Sequence, residues 1–336
     1  MAHRPVLLLL TTMHESGMNL LRDAGEIRMA SALDPATIQR EVVGVDALVI
    51  RTGGVIDRAV LERAVDLKVV GRHGVGFDEI DVEAATELGV QVLSTPGANT
   101  ESVTQHAFAF MIGLSKHFPR MMSALAAGRY RDRTSLTGRE LTGRSLGIIG
   151  FGRIGRRVGE VAHLAFGMPV LYHDLVAAPP EVEARAGARR VGTDELLAAS
   201  EYVTLHVPLD SSTRAMIDRQ ALAGMRPDAI LINTCRGPVV VESAVAEALD
   251  AGRLWGYGAD VFEVEPPQPG HPLIGRADVM LTPHSAAQTV EGLRNMATWI
   301  SQDVLGVLRG EAPRHPVNDP ALVHANRRKL GRAAGP

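Results

Sequence analysis

Three polar residues stand just beyond runs that read as buried strands. Arg236 follows "AILINT" (229–234), Glu265 follows "WGYGADVFEV" (255–264), and His284 follows "VMLTP" (279–283). A guanidinium is costly to bury and does not shed its proton, so Arg236 calls for an anionic partner. Arginine holds a carboxylate in two parallel hydrogen bonds. Histidine exchanges a proton near neutrality, and a neighbouring carboxylate favours its charged form. The three together read as a site that binds a 2-oxo acid by its carboxylate and protonates the carbonyl oxygen as hydride reaches carbon. Taken singly, each has an ordinary structural reading: a solvated histidine, a surface loop acid, a helix cap. Their joint placement past three strand ends is what points to one crevice, since ligands of open parallel sheets bind beyond the carboxyl ends of strands.

The same stretch of chain contains "LGIIGFGRIGRRVGEVA", a strand, then Gly150-x-Gly152-x-x-Gly155, then a helix. Such glycines permit a tight turn, close approach of backbone to a pyrophosphate and close helix–strand packing. The phosphates would lie at a helix N-terminus. Asp174 ends the next strand, placed to accept hydrogen bonds from a ribose diol and to repel a 2′-phosphate; this favours NAD over NADP, although Arg153 offers a cation nearby.

These residues need a scaffold of strand ends, and the chain supplies one. Strand-like runs at 6–10, 27–30, 47–50, 68–72 and 91–94 alternate with helical segments such as 57–65 and 81–89. A long helical stretch, "VTQHAFAFMIGLSKHFPRMMSALAAGRY" (103–130), follows, and the alternation restarts at 145–150, 169–174, 202–207, 229–234, 255–261 and 279–283. Apolar strands alternating with helices indicate parallel sheets covered on both faces. The last long helix (289–310) has no place in the second sheet and is expected to return to the first domain. The division is therefore 1–99 with 288–336, and 100–287. The tail "NRRKLGRAAGP" reads as a frayed, solvated end. The helical arm at 100–144 carries more apolar surface than one domain needs, so a homodimer through it is expected.

The totals narrow the class. At 336 residues the chain exceeds the usual single core. A formal net charge of −3 offers no basic field for nucleic acid and no membrane-binding patch. The single cysteine, Cys235, excludes an internal disulfide and a cysteine-rich metal site, and fits a reducing compartment. The apolar run in "MAHRPVLLLLTT" is short, without a small-residue cleavage site, and reads as a first strand rather than a signal peptide. A cytoplasmic protein with no metal, no nucleic-acid partner and no membrane span is the expectation.

Along nearly its whole length the sequence resembles the D-isomer-specific 2-hydroxyacid dehydrogenases, the family that includes 3-phosphoglycerate dehydrogenase and hydroxypyruvate reductase. The resemblance rests on "GRHGVGFDEIDVEAATELGV" (71–90), "LTGRSLGIIGFGRIG" (141–155), "HVPLDSSTRAMID" (206–218), "LINTCRGPVVVESAVAEAL" (231–249), "GADVFEVEPP" (258–267) and "LTPHSAAQT" (281–289). It implies a Rossmann NAD-binding domain inserted into a flavodoxin-like substrate domain. It makes Arg236 the carboxylate-binding arginine, His284 the acid–base and Glu265 its partner. Gly150, Gly152, Arg153, Ile154, Gly155, Asp174, Val207, Pro208, Thr213, Thr234, Cys235, Asp260 and Ala286 would join Arg236 and His284 around NAD, with Thr104 close to the nicotinamide. Val75 and Gly76 would hold the substrate carboxylate, with Arg51 near the substrate's far end. Cys235 reads as a small lining residue, since no motif sets a base beside it. The family often has Ala-Glu where this chain has Thr104-Gln105, which leaves those two residues' contribution open. "TGG" after Arg51 lacks a basic residue often seen in the phosphoglycerate enzymes, and no regulatory domain follows; both argue for an unphosphorylated small 2-hydroxy acid. Two other uses of the fold compete, an NAD-binding corepressor or sensor and a phosphite dehydrogenase. A formate dehydrogenase is disfavoured because that branch has glutamine where Glu265 stands.

Overall fold

Twelve short strands, half of them wholly buried, form two separate parallel sheets in the computed structural model, which describes residues 4–332. The chain divides into two units, one running up to Asn99 and resuming at Thr289, the other Thr100–Gln288.

In the first unit the strands are β1 (Val6–Leu9), β2 (Glu26–Met29), β3 (Ala47–Ile50), β4 (Val69–Arg72) and β5 (Gln91–Leu93), in the order β2-β1-β3-β4-β5. Runs such as "VLLL" and "ALVI" bury both faces, as a parallel sheet sandwiched by helices demands. Helix starts are written into the sequence: Asp34, Asp57 and Asp81 each accept the N–H of the residue three positions on (Thr37, Val60, Ala84) at 2.9–3.0 Å. Helix Val290–Leu308 packs on β4 and on helix Glu15–Ala24, where a Cβ on Gly17 would come within 2.6 Å of the Ala297 carbonyl. The chain then closes over β5, with the Asn318 side chain accepting from the Val92 N–H (2.8 Å) and donating to the Val90 carbonyl (3.0 Å).

The expected frayed tail is corrected by the structure as far as Arg332. Helix Pro320–Lys329 buries Arg327, whose guanidinium donates to the carbonyls of Leu67 (2.7 Å) and Gly89 (3.2 Å), and Arg332 donates to Leu88 (2.9 Å). Carbonyls left over at strand and helix ends satisfy a charge that composition alone assigns to solvent. Residues 333–336 of that tail, and 1–3 of the "MAHRP" segment, lie outside the described residues. The single helical stretch expected at 103–130 is also corrected: it is two helices, Thr100–Ser115 and Phe118–Ala126, then a 3₁₀ turn at Tyr130–Thr134. His117 adopts a left-handed φ of 54° at the break, and Pro119 starts the second helix.

The second unit holds β6 (Leu146–Ile149), β7 (Val170–His173), β8 (Ala188–Arg190), β9 (Tyr202–Leu205), β10 (Ile230–Asn233), β11 (Gly256–Ala259) and β12 (Val279–Leu281), in the order β12-β11-β10-β9-β6-β7-β8. β8 is absent from the sequence reading because its three residues, Ala-Arg-Arg, carry no apolar run. From β6 the sheet is extended one way by β7 and β8 and the other way by β9 to β12, so the strand order reverses at β6, the kind of position at which open α/β sheets bind ligands. The glycine turn sits at this point. Gly150 has φ 92°, and a Cβ there would meet the His206 carbonyl at 2.5 Å. A Cβ on Gly155 would sit 2.1 Å from the Gly150 carbonyl, whereas Gly152 has nothing within 4 Å.

These clearances predict opposite outcomes for two alanine substitutions. Gly155→Ala should destabilise by about 1–3 kcal/mol through overpacking and lower Tm by several degrees. Gly152→Ala should leave Tm nearly unchanged, a contrast that differential scanning calorimetry of the two variants will check.

Candidate active site

The turn after β10 is shaped by Asn233, fully buried, whose side chain accepts the Cys235 N–H (3.1 Å) and donates to the Arg236 carbonyl (2.9 Å). Arg236 is thereby left extended, its Nη1 donating to the Cys235 carbonyl at 2.7 Å. Cys235 Sγ donates to Asn233 Oδ1 (3.1 Å), and burial pushes its thiol up to about 11, which keeps it protonated and unreactive. Gly237 lies flat on the next loop, where a Cβ would fall 1.8 Å from the Phe262 carbonyl.

Glu265 stands on that loop. Its Oε1 accepts the Phe262 N–H (3.1 Å) and its Oε2 lies 2.7 Å from His284 Nδ1. Partial burial pushes the Glu265 carboxyl up, but the hydrogen bond and charge of His284, the Phe262 N–H and the nearby Arg236 charge outweigh it and hold the carboxyl below its usual range. With Nδ1–H donated to Glu265, Nε2 of the half-exposed His284 is the ring atom left to meet a ligand.

His284 sits at φ 50°, held there by its N–H to the Asp260 carbonyl (2.7 Å). The Asp260 carboxylate, 1% exposed, accepts from Thr282 Oγ1 (2.6 Å), Ser285 N (2.7 Å) and Ala286 N (2.7 Å). Since Thr282 donates to Asp260, it accepts from His106 Nε2 at 2.8 Å. Burial lowers the pKa of His106 despite the Asp260 charge, so His106 serves as a neutral donor.

Around the glycine turn, Asp174 accepts the Phe151 N–H (2.7 Å) and the Val176 N–H (3.3 Å), which sets its carboxylate at the mouth of the turn. Arg153 is exposed and Ile154 half-buried in the first helical turn. Val207 and Pro208 leave β9, and Thr213 closes their loop by donating to the Pro208 carbonyl (2.7 Å). His206 beside them is half-buried, and burial of its ring pushes it down to about 3, hence neutral. The hydroxyls of Thr104 and Thr234 are buried with no hydrogen-bond partner among the described residues, while Gln105 is exposed. Open space over Gly152 and two orphaned hydroxyls fit a dinucleotide laid across the turn.

In the first unit, Arg51 follows β3 and donates to the Thr12 carbonyl (3.2 Å). Val75 and Gly76 lie in the loop after β4, anchored by Gly74 N–H to Thr95 Oγ1 (3.1 Å). Arg72 links the two by donating to the carbonyls of Arg51 (2.6 Å) and His73 (2.7 Å), with its charge paired to Glu79 (3.0 Å). Sequence reading thus named the residues at each strand end but missed those behind them. Thr282, His106 and Arg72 carry no local signal, and Asp260, which its motif marks only as a cofactor-lining residue, directs its carboxylate to the 282–286 loop. Among the described residues no group of three or more His, Cys, Asp or Glu is placed to hold a metal, and no helix is long and apolar enough to cross a membrane.

Comparison with known proteins agrees with this geometry. Residues 108–286 match the family described as D-isomer specific 2-hydroxyacid dehydrogenase, NAD binding domain. The chain is 38% identical over 325 residues to D-3-phosphoglycerate dehydrogenase of Methanocaldococcus jannaschii, covering 96% of this chain and 61% of that protein, so it spans about three fifths of that relative's length. It is 37% identical over 280 residues to hydroxypyruvate reductase of Thermotoga maritima, covering 82% of this chain and 90% of that protein. A crystal structure of a glyoxylate reductase from Paecilomyes thermophila superposes with a TM-score of 0.86 at 30% identity, over 94% of this chain and 99% of that one. With the glycine turn, the strand-end triad and these matches pointing the same way, the chain belongs to the D-isomer specific 2-hydroxyacid dehydrogenase family.

Proposed function

We propose that the chain is an NAD-dependent D-2-hydroxyacid dehydrogenase acting on a small 2-oxo acid of the glyoxylate or hydroxypyruvate type. The observation that carries this reading is the 2.7 Å contact between His284 Nδ1 and Glu265 Oε2, with the Arg236 charge acting on the same carboxylate. NAD, when bound, supplies or removes the hydride. Gly150, Gly152, Ile154 and Gly155 hold its phosphates with Arg153 beside them, and Asp174 takes the ribose. Val207, Pro208, Thr213, Thr234, Cys235, Asp260, Ala286 and Thr104 line the remainder. Arg236 binds and orients the substrate carboxylate. His284 Nε2 gives its proton to the carbonyl oxygen in reduction and takes it from the hydroxyl in oxidation. In the first unit, Arg51, Val75 and Gly76 are proposed as substrate-binding residues. The unit Thr100–Gln288 is the cofactor domain in this reading and the other the substrate domain.

A relative named D-3-phosphoglycerate dehydrogenase favours a second reading, a phosphorylated hydroxy acid. Against it, Arg72 at the end of β4 already spends its charge on Glu79 and two carbonyls. Steady-state reduction of glyoxylate, hydroxypyruvate and its 3-phosphate with NADH decides between them, the unphosphorylated acids being expected to have the higher kcat/KM.

The acid–base assignment has a signed pH consequence. Reduction needs His284 protonated and oxidation needs it neutral, so the two directions should show opposite trends through one pH midpoint. Glu265, held below its usual range, stays anionic through neutral pH and favours imidazolium. Glu265→Gln should therefore move the falling limb of the reduction profile to lower pH. His284→Ala should cost roughly 10²–10⁴ in kcat. Near-normal turnover of His284→Ala, or an upward shift in Glu265→Gln, contradicts the assignment.

Cofactor choice is expected to follow Asp174. Wild type should prefer NADH, and Asp174→Ala should narrow the ratio of kcat/KM values; an unmutated protein that uses NADPH equally well overturns the assignment. We also assign a homodimer built through residues 100–144, where Phe118, Met122 and Leu125 are exposed apolar side chains. Light scattering at micromolar concentration should give a dimer mass, and a monomer would refute it.

A further inference from the structure

Behind the proposed acid–base pair lies a second carboxylate–histidine contact. Glu242 opens helix Glu242–Asp250 and is 5% exposed, and its Oε2 lies 2.9 Å from Nε2 of half-buried His271. The His271 ring stands edge-on to Phe262, with centroids 5.5 Å apart and planes at 89°. Phe262 in turn donates its N–H to Glu265 Oε1 (3.1 Å). A physical path thus runs from Glu242 through His271 and Phe262 to Glu265. Two more contacts tie the same segments together: Glu242 N–H donates to Glu263 Oε2 (3.0 Å), and Gly237, next to Arg236, lies against the Phe262–Glu263 backbone. The other titratable groups facing Glu242 are Glu263 and the buried Tyr257 hydroxyl. Burial pushes the Glu242 carboxyl up and His271 pulls it down without cancelling the effect, so the contact with His271 is what opposes the cost of a carboxylate there.

We propose that Glu242 and His271 are positioning residues that latch the loop at 262–271 to the Arg236 segment, so that Glu265 meets His284 beside the substrate carboxylate. The proposal rests on the acid–base reading above. Neither residue touches substrate or cofactor in this account; they act through Phe262 and Glu265. Removing His271 leaves the buried Glu242 carboxyl without its partner, and whether the carboxyl then takes up a proton or draws in water, the loop loses the contact that ties it to helix Glu242–Asp250.

The test compares His271→Ala, His271→Gln, Glu265→Gln and the double variant His271→Ala/Glu265→Gln, by pH-dependent kinetics and by fluorescence titration with NADH. His271→Ala should lower kcat by about 10- to 100-fold, the scale of an ångström-sized misplacement, and raise KM for the keto acid. Its reduction limb should move to lower pH, as in Glu265→Gln, while NADH affinity stays essentially that of wild type. His271→Gln, which restores a donor to Glu242, should recover most of the activity and the limb. The double variant should shift no further than Glu265→Gln alone. The proposal is overturned if His271→Ala leaves the limb in place, or if its shift adds to that of Glu265→Gln. If Glu265→Gln itself leaves the limb unmoved, the acid–base reading fails instead and takes the latch with it. Should His271→Ala not fold, His271→Asn, too short to reach Glu242, serves in its place.

Discussion

The geometry of the site depends on one buried carboxylate. Asp260, at the end of β11, would be costly in an apolar interior without partners. It accepts the hydroxyls of Thr282 and, at 3.5 Å, Ser285, and the backbone N–H groups of Ser285 and Ala286, all from the loop at 282–286. Charge-assisted hydrogen bonds of this kind are shorter and stronger than neutral ones. They fix the loop tightly enough to keep His284 at a left-handed φ of 50°, a conformation that costs a non-glycine residue roughly 1–2 kcal/mol. Without the Asp260 carboxylate the loop that carries His284 would lose these donors' shared acceptor. Helix Thr100–Ser115 enters the same network through His106 and Thr282, so the long helix that opens the second unit also steadies the proposed acid.

Environment, rather than residue type, separates the titratable groups. Glu265 and Glu242 are both glutamates paired with a histidine at 2.7 and 2.9 Å. Glu265 is held below its usual range because its partners outweigh burial, whereas Glu242 is raised because burial outweighs its partners. His206 and His106 are driven neutral by burial and serve as fixed hydrogen-bonding groups. Cys235 is kept a thiol by the same effect. The half-exposed His284, with a carboxylate on one ring nitrogen and the other left open, is the one suited to move a proton.

What could be read from the chain alone follows from the range of the interactions involved. Buried parallel strands announce themselves as continuous apolar runs, and the glycine turn is recognisable because its spacing is local: Gly155 meets the Gly150 carbonyl of the same βα unit, although the His206 backbone that requires glycine at 150 lies far along the chain. Residues just past strand ends are equally accessible, since an apolar run followed by Arg, Glu or His is visible without a fold. Failures came where a partner lay far along the chain. Arg327 is buried because carbonyls at 67 and 89 receive it. The Asp260 and Glu242 networks depend on pairs separated by more than twenty residues. β8 is stabilised by its pairing with β7 rather than by its own composition.

The most direct test of the account is an NMR titration of ring-labelled His284, in wild type and in Glu265→Gln, with NAD⁺ and an oxamate-like anion bound. The account predicts that the wild-type ring titrates at the midpoint of the kinetic limb, and that Glu265→Gln lowers both midpoints together. A ring that titrates away from the kinetic limb, or that ignores the loss of the Glu265 carboxylate, would show that the proton of the reaction is carried by another group.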